Sequence, residues 1–226
     1  MSGMLPIGDP VAPAGEALPP SRDRYQGKHV TLSPIRSSDD ASNLFACSHG
    51  SDEIESLWTY MGYGPFCAES AMAEWLAGCA ESDDPLFLSV TSLGSGTRVG
   101  MVSFLNIIPD AWRLELGHIW YAPSVQRTKV NTESVYLMLR ESFGLGYRRI
   151  EWKCDALNAK SRAAALRLGF KFEGIFRQHL IYKGRNRNTA WFSMLDAEWP
   201  RIRQNIERWL YENDDGGLSL TQLNAT

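Results

Sequence analysis

Long hydrophobic runs are missing from this 226-residue chain, and with them any stretch of the ~18 apolar residues that a membrane-spanning helix needs. The opening stretch, MSGMLPIGDPVAPAGEALPP, has neither a basic n-region nor a continuous apolar centre, so it does not read as a secretory signal. Cysteine is scarce. Cys47, Cys67, Cys79 and Cys154 follow no common zinc spacing, and they are expected to be reduced thiols, mostly interior filler, with no metal site. Charge of one sign is also missing: a net charge of −3 gives no global field to gather nucleic acid or an anionic membrane. What is present, 44% hydrophobic and 22% charged residues, is the balance of a globular domain with its own core, expected in the cytoplasm.

Composition divides the chain. Residues 1–24, rich in Pro and Ala, read as a flexible arm; 25–212 read as one folded domain; 213–226 read as a polar tail. Within the domain the hydrophobic period alternates between two and 3.6. His29–Ile35, Leu86–Thr91, Arg98–Ile107, Arg113–Tyr121, Arg149–Cys154, Phe170–Tyr182 and Arg187–Leu195 read as strands, the last two as a hairpin around KGRNRN. Asp39–Cys47, Ser70–Cys79, a segment from Asn131 or Thr132 to Phe143, Asn158–Leu168 and a final stretch around Ile202–Leu210 read as helices. Asn131 and Asn158 are the expected caps, Val130 and Val135 a hydrophobic staple, and Gly169 a C-terminal stop. This order lacks the regular strand–helix alternation of a Rossmann sheet or a barrel, so a mixed sheet with helices on both faces is predicted.

Two segments carry chemistry. PSVQRTKVNTES joins a strand to a helix, where free backbone N–H groups and the helix dipole suit a diphosphate. Arg127, Lys129, Thr128 and Thr132 add charge and hydroxyls, although a solvated surface turn would use the same residues. In CDALNAKSRAAALRLGFKFEG, Asn158 and Ser161 share one helix end. They suit either local backbone bonds or an amide-rich ligand arm and a leaving thiolate. The aromatics Trp58, Tyr60, Tyr63 and Phe66 are either core or the wall of an acceptor site. The basic turn Lys183–Arg187 is expected to be a solvated hairpin tip rather than a nucleic-acid platform, because no stacking aromatics accompany it.

Together these segments resemble the GNAT superfamily, near its RimJ/RimL-like branch. QRTKVNTES stands in the place of that family's Q/R-x-x-G-x-G/A pyrophosphate loop. DALNAKSRAAALRLGFKFEG resembles the branch's D-x-x-N-x-x-S…G-F/A-x-x-E-G run. ELGHIW, LWTYMGYGPF and FRQHLIYKGRNRNTAWFSMLDAEWP are similar to it as well, so the likeness covers about Tyr25 to Leu210. Lys129 and Asn131 replace small residues of the loop, and Asn188 stands where the branch often has Asp.

The resemblance implies an α/β (α+β) fold with a mostly antiparallel seven-stranded sheet and a splayed central strand pair, Arg113–Tyr121 and Arg149–Cys154. It implies acetyl-coenzyme A as cofactor. Backbone groups of Ile119, Trp120 and Tyr121 would pair with its pantetheine arm, Arg127, Thr128, Lys129, Val130, Asn131 and Thr132 would hold the pyrophosphate, and Asn158 would hold pantetheine. Ser161 would lie near the thioester sulfur as proton donor. Amine acetylation needs a neutral nucleophile, and Glu115 is the candidate base, through water. By strand alternation His118 is expected on the face opposite Glu115, and His179 is a further alternative. The acceptor is expected to be the primary amine of a small molecule, or else a protein N-terminus. A non-catalytic acyl-coenzyme A module is a reading of another class. Neither nucleic acid nor membrane is an expected partner, and a homodimer is one assembly such a domain permits.

Overall fold

The computed structural model describes residues 5–11, 15–212 and 217–225. Strands β1 (Tyr25–Gln26), β2 (Val30–Pro34), β3 (Leu86–Ser92), β4 (Arg98–Ile108), β5 (Arg113–Tyr121), β6 (Arg149–Asp155), β7 (Lys171–Tyr182) and β8 (Arg185–Leu195) form one sheet in the order β1-β2-β3-β4-β5-β6-β8-β7. The strand beyond the expected seven is β1, whose two residues are too few for any alternation to show in the sequence. Each neighbouring pair is antiparallel except β5 and β6.

Helices α1 (Ser37–Ser48), α2 (Asp52–Glu55) and α3 (Glu69–Glu81) precede β3; α4 (Lys129–Gly144) lies between β5 and β6, and α5 (Ala159–Arg167) between β6 and β7. Then α6 (Trp199–Glu207) runs into a π turn at Arg208–Glu212, and α7 (Leu220–Ala225) follows. The sheet separates two cores. On one face Leu114, Leu116, Ile150 and Phe192 pack with Val135, Leu139, Leu168 and Ile202 of the later helices. On the other, Phe87, Met101 and Trp120 pack with Leu44, Met72 and Leu76 of α1 and α3 and with Trp58. Among the described residues no helix is long and apolar enough to cross a membrane.

Helix α4 begins a turn earlier than the pattern implied. Its cap is Thr128, whose Oγ1 accepts from Val130 N–H at 3.2 Å, rather than Asn131. Arg127 turns the chain at φ +63°, which brings Thr128 extended onto the helix end. Val130 is therefore inside the first turn and packs in the core, not as an outer staple residue. Helix α5 has the expected cap: Asn158 Oδ1 accepts from Ser161 N–H at 3.0 Å, and Gly169 at φ +97° ends it.

Described residues near both ends of the chain are held against the domain. Leu18 N–H reaches Leu145 O at 3.0 Å, and Arg22 donates to Ala80 O at 2.6 Å and to Ser82 O at 2.8 Å. The polar tail carries α7, where Leu220 and Leu223, three residues apart, are both buried and Leu220 joins the larger core. Residues 1–4, 12–14, 213–216 and 226 lie outside the described residues.

Candidate functional site

The parallel pair β5–β6 is in register only from Arg113–Arg149 to Leu116–Trp152. Beyond that point β6 stays with β8, Asp155 opposite Thr189, while β5 stays with β4, Trp120 opposite Met101. The two strands diverge, leaving Ile119, Trp120 and Tyr121 with no partner strand on the β6 side among the described residues. A bulge accompanies the divergence: the register slips between Met101 and Ser103, and His118 sits at φ +50°.

The bulge changes the strand's parity. Leu114 and Leu116 face the α4 core, and Ile119 and Tyr121 resume that face, while His118 and Trp120 turn to the α1–α3 side. His118 is thus on the same side as Glu115, and strict alternation from Glu115 misplaces it. Its ring lies against Phe87 (centroids 4.8 Å) and Tyr63 (5.8 Å). Ser103 Oγ donates to Gly117 O at 3.1 Å and lies 2.9 Å from His118 Nδ1. Ser103 has one proton, so with that proton on the carbonyl His118 donates from Nδ1 and keeps its lone pair on Nε2. Burial depresses its pKa to about 4, so the ring is neutral at physiological pH and only a weak base.

A cleft of about 190 Å³ opens at the divergence, lined among others by Tyr60, Tyr63, Glu115, His118, Ser161 and Arg187. Small-molecule sites run ~300–1,000 Å³, so this volume suits the reacting ends of two substrates rather than either one whole. Glu115 is buried at its wall. Glu115 Oε2 receives Lys153 Nζ at 2.5 Å and Asn106 Nδ2 at 2.6 Å, while Oε1 accepts no hydrogen bond among the described residues. Burial raises the Glu115 pKa; Lys153 and Asn106 pull it part of the way back. The result is a carboxylate held by one oxygen with the other left for a proton, which is what a general base needs.

Asn158 lines the same cleft. Its oxygen serves the cap, and its amide nitrogen donates to no described residue, so capping and ligand binding use different atoms of one side chain. Ser161 Oγ accepts from Trp152 Nε1 at 3.0 Å, and its hydrogen bond eases down the Cys154 thiol that burial pushes up. Past the end of β5, the first turn of α4 presents its N–H groups. The Thr132 hydroxyl is fully buried there and receives Arg167 Nη1 at 3.0 Å, so it is not the surface donor the sequence implied. Arg167, from the end of α5, thereby brings a guanidinium to the first turn of α4, a residue that sequence reasoning missed. Tyr121 O is already taken by Gln126 Nε2 at 3.1 Å.

The aromatic loop divides into two roles. Trp58 is fully buried, donates from Nε1 to Ser48 O at 3.0 Å and meets Trp120 at 5.1 Å. Phe66 packs edge-on against Trp58. Neither lines the cleft, so of the two readings the sequence left open these take the core one, and as acceptor-wall candidates they drop out; Tyr60 and Tyr63 do line it. The hairpin tip is solvated as expected from Lys183 to Asn186, and only Arg187 departs from that reading. Lys183 (φ +50°) and Gly184 (φ +70°) make a two-residue turn of the primed type, matched to strand twist. Lys183 Nζ reaches back to Trp58 O at 2.8 Å, Tyr60 OH to Leu157 O at 3.2 Å, and Arg187 is buried, so the tip closes on the aromatic loop. Asn188 Oδ1 accepts from Gln178 N–H at 2.7 Å and holds the β7 bulge. His179 is bound to Thr189 Oγ1 and does not line the cleft.

The sequence also missed Lys153, Asn106 and Arg187. A lysine inside a central strand, EWKCD, was the available signal, since an unpaired charge has no place in the middle of a sheet.

Comparison with known proteins gives a consistent result. A family model described as an acetyltransferase (GNAT) domain matches residues 29–171. The crystal structure of a GCN5-related N-acetyltransferase from Brucella melitensis superposes with a TM-score of 0.89 and 38% identity, over 93% of this chain and 98% of that one. A Bacillus subtilis (strain 168) protein named "Putative ribosomal N-acetyltransferase YdaF" is 24% identical over 76% of this chain and 94% of its own length. The fold is shared, at a TM-score of 0.65 and 22% identity, over 75% of this chain and 93% of that one, with microcin C7 self-immunity acetyltransferase MccE, solved with acetyl-CoA and AMP. With strands diverging over a carboxylate-lined cleft and a family match spanning more than half of its length, the chain belongs to the GNAT acetyltransferase family and is an acyltransferase.

Proposed function

We propose that the protein transfers the acetyl group of acetyl-coenzyme A to the primary amine of a small molecule. The observation that carries this reading is the divergence of β5 and β6 beyond Leu116–Trp152, between the N-termini of α4 and α5. The residues present fit the cofactor. The edge of β5 at Ile119 and Trp120 suits an extended amide chain added like a strand, with Tyr121 O held by Gln126. The free amide of Asn158 suits the same arm, and the turn from Arg127 to Thr132, with Arg167 beside it, suits a diphosphate. Bound there, acetyl-coenzyme A supplies an activated acyl carbon and a thiolate leaving group.

The chain's own residues do the rest. Glu115 Oε1 takes a proton from the incoming ammonium, directly or through water, while Lys153 and Asn106 hold the other oxygen still. The Ser161 hydroxyl stands ready to give a proton to sulfur. Tyr60 and Tyr63 narrow the cleft and exclude water from the reacting ends.

A thermal melt tests the cofactor assignment. A ligand at ~100 times its Kd adds about 2.7 kcal/mol of stability. Millimolar acetyl-coenzyme A that leaves the melting temperature unchanged would count against the whole reading. Transfer to a protein N-terminus is the second reading, supported by the name of the Bacillus subtilis relative. Release of free thiol with small amines on one side and peptides on the other separates the two.

A further inference from the structure

Buried charges in this fold come with partners. Asp40 holds Arg98 at 2.6 Å, Glu115 holds Lys153 at 2.5 Å, and Glu151 holds Arg149 at 2.9 Å. Arg187 breaks the pattern. It is 8% exposed, yet its Nε is buried with no hydrogen-bond partner, and among the described residues no carboxylate forms an ion pair with it. Among the described residues the contact that meets its charge is the face of Tyr182, 4.6 Å from the guanidinium carbon. Desolvating a guanidinium without an anion is costly, and a ring face offsets only part of that cost. The other acid of the cleft, Asp155, accepts instead from Leu157 N–H at 2.9 Å.

Arg187 lines the reaction cleft. On β8 it shares a face with Thr189 and Trp191, while Ala190, Phe192 and Met194 face the opposite core beneath the later helices. Trp191 lies under Lys153, its ring 4.2 Å from Nζ. Arg187 is therefore on the Glu115–Lys153 side of the sheet, away from the side of α5 that carries Asn158 and Ser161. A cofactor arm held by α5 leaves this side to the acceptor.

We propose that Arg187 recognises a carboxylate on the acceptor, so that the enzyme selects amines that carry an acidic group near the reacting nitrogen. The proposal rests on the acetyl-transfer reading above. A guanidinium pairs with a carboxylate through two parallel N–H···O bonds, which fixes the orientation of the acceptor as well as its charge. Tyr182 holds the guanidinium plane, and the acceptor's carboxylate completes a site that the protein leaves one anion short.

The test uses paired acceptors with thiol release as readout. Glycine, β-alanine and γ-aminobutyrate are each compared with the corresponding carboxamide. A tripeptide amide that begins with aspartate is compared with its asparagine counterpart, which separates a free amino acid from an acidic peptide as the source of the carboxylate. The wild-type kcat/KM is expected to favour the carboxylate member of at least one pair by about tenfold or more, the effect of a charge-assisted hydrogen bond. Arg187→Gln should raise KM for that member by more than it does for the carboxamide, so that the preference collapses; Arg187→Lys should keep part of the preference. Melting temperatures of both variants confirm folding, and the wild-type preference stands as a test without them. Equal turnover of both members in every pair overturns the proposal, as does an Arg187→Gln enzyme that folds and keeps the preference. Turnover of no acceptor by an enzyme that acetyl-coenzyme A stabilises also overturns it. Absence of that stabilisation strikes the underlying reading instead.

Discussion

Lys153 Nζ stands 2.5 Å from Glu115 Oε2, and the pair bridges β5 and β6 just where the two strands part. The ion pair ties the two walls of the cleft together and occupies one oxygen of the carboxylate. It also sets the protonation of Glu115: burial raises the pKa, and the ammonium works against that rise.

Glu115→Gln should lower turnover by ~100- to 10,000-fold and leave acetyl-coenzyme A affinity nearly intact. The loss should be greatest above the raised pKa of Glu115, where free amine is still scarce, and should shrink toward the amine's own pKa. As a base, Glu115 acts when ionised, so the wild-type rate should rise with pH through its raised pKa. Lys153→Met removes the opposing charge and should move that limb to higher pH. Turnover profiles of the three enzymes decide this, and a Glu115→Gln profile that parallels wild type would name another base.

Asn158 divides its side chain between two tasks, so two substitutions should separate them. Asn158→Asp keeps an oxygen for the cap on Ser161 N–H and removes the amide donor. It should weaken acetyl-coenzyme A binding with little change in melting temperature. Asn158→Ala should lose affinity and about 1 kcal/mol of stability as well. Calorimetric titration beside thermal melts distinguishes the cases; equal cofactor affinity in all three proteins would leave Asn158 a cap alone.

Glu133 is fully buried, and its carboxylate accepts from the backbone N–H groups of Lys28, His29 and Val30 and from Tyr211 OH. It fastens the start of β2 to α4 and to the C-terminal π turn. Glu133→Ala should cost about 3 kcal/mol or more, since each buried donor left bare costs about 1–3 kcal/mol. Chemical denaturation measures it. A loss under 1 kcal/mol would mean that water replaces the carboxylate.

His118 should make stability depend on pH. Burial lowers its pKa in the fold from 6.5 to about 4, so the unfolded chain binds the extra proton between those values. Its contribution is present above about pH 6.5 and is lost as pH falls toward 4, by about 3 kcal/mol at most. His118→Asn, which tolerates the positive φ, should flatten this part of the curve. Identical slopes for variant and wild type between pH 6.5 and 4 would show that the ring protonates as easily in the fold as out of it.

Period and capping in the sequence determined the sheet strands from β2 to β8, the long helices, the Asn158 cap and the place of Glu115 on a central strand, because each depends on neighbours within a few positions. The same local evidence placed the anion-suited turn before α4, although it put the cap three residues late, at Asn131 instead of Thr128. Long-range contacts decided the rest. The bulge at His118 reversed the strand's parity, a single left-handed residue that no alternation rule anticipates. Trp58 became core and Tyr60 a wall because one faces α1 and the other Leu157, 97 residues away in sequence. Arg187, read locally as part of a basic tip, was buried when a two-residue turn folded Tyr182 over it. Sequence pattern fixes which residues a strand turns to each side; which charge finds a partner there depends on side chains brought in from other strands, and only the closed sheet supplies those.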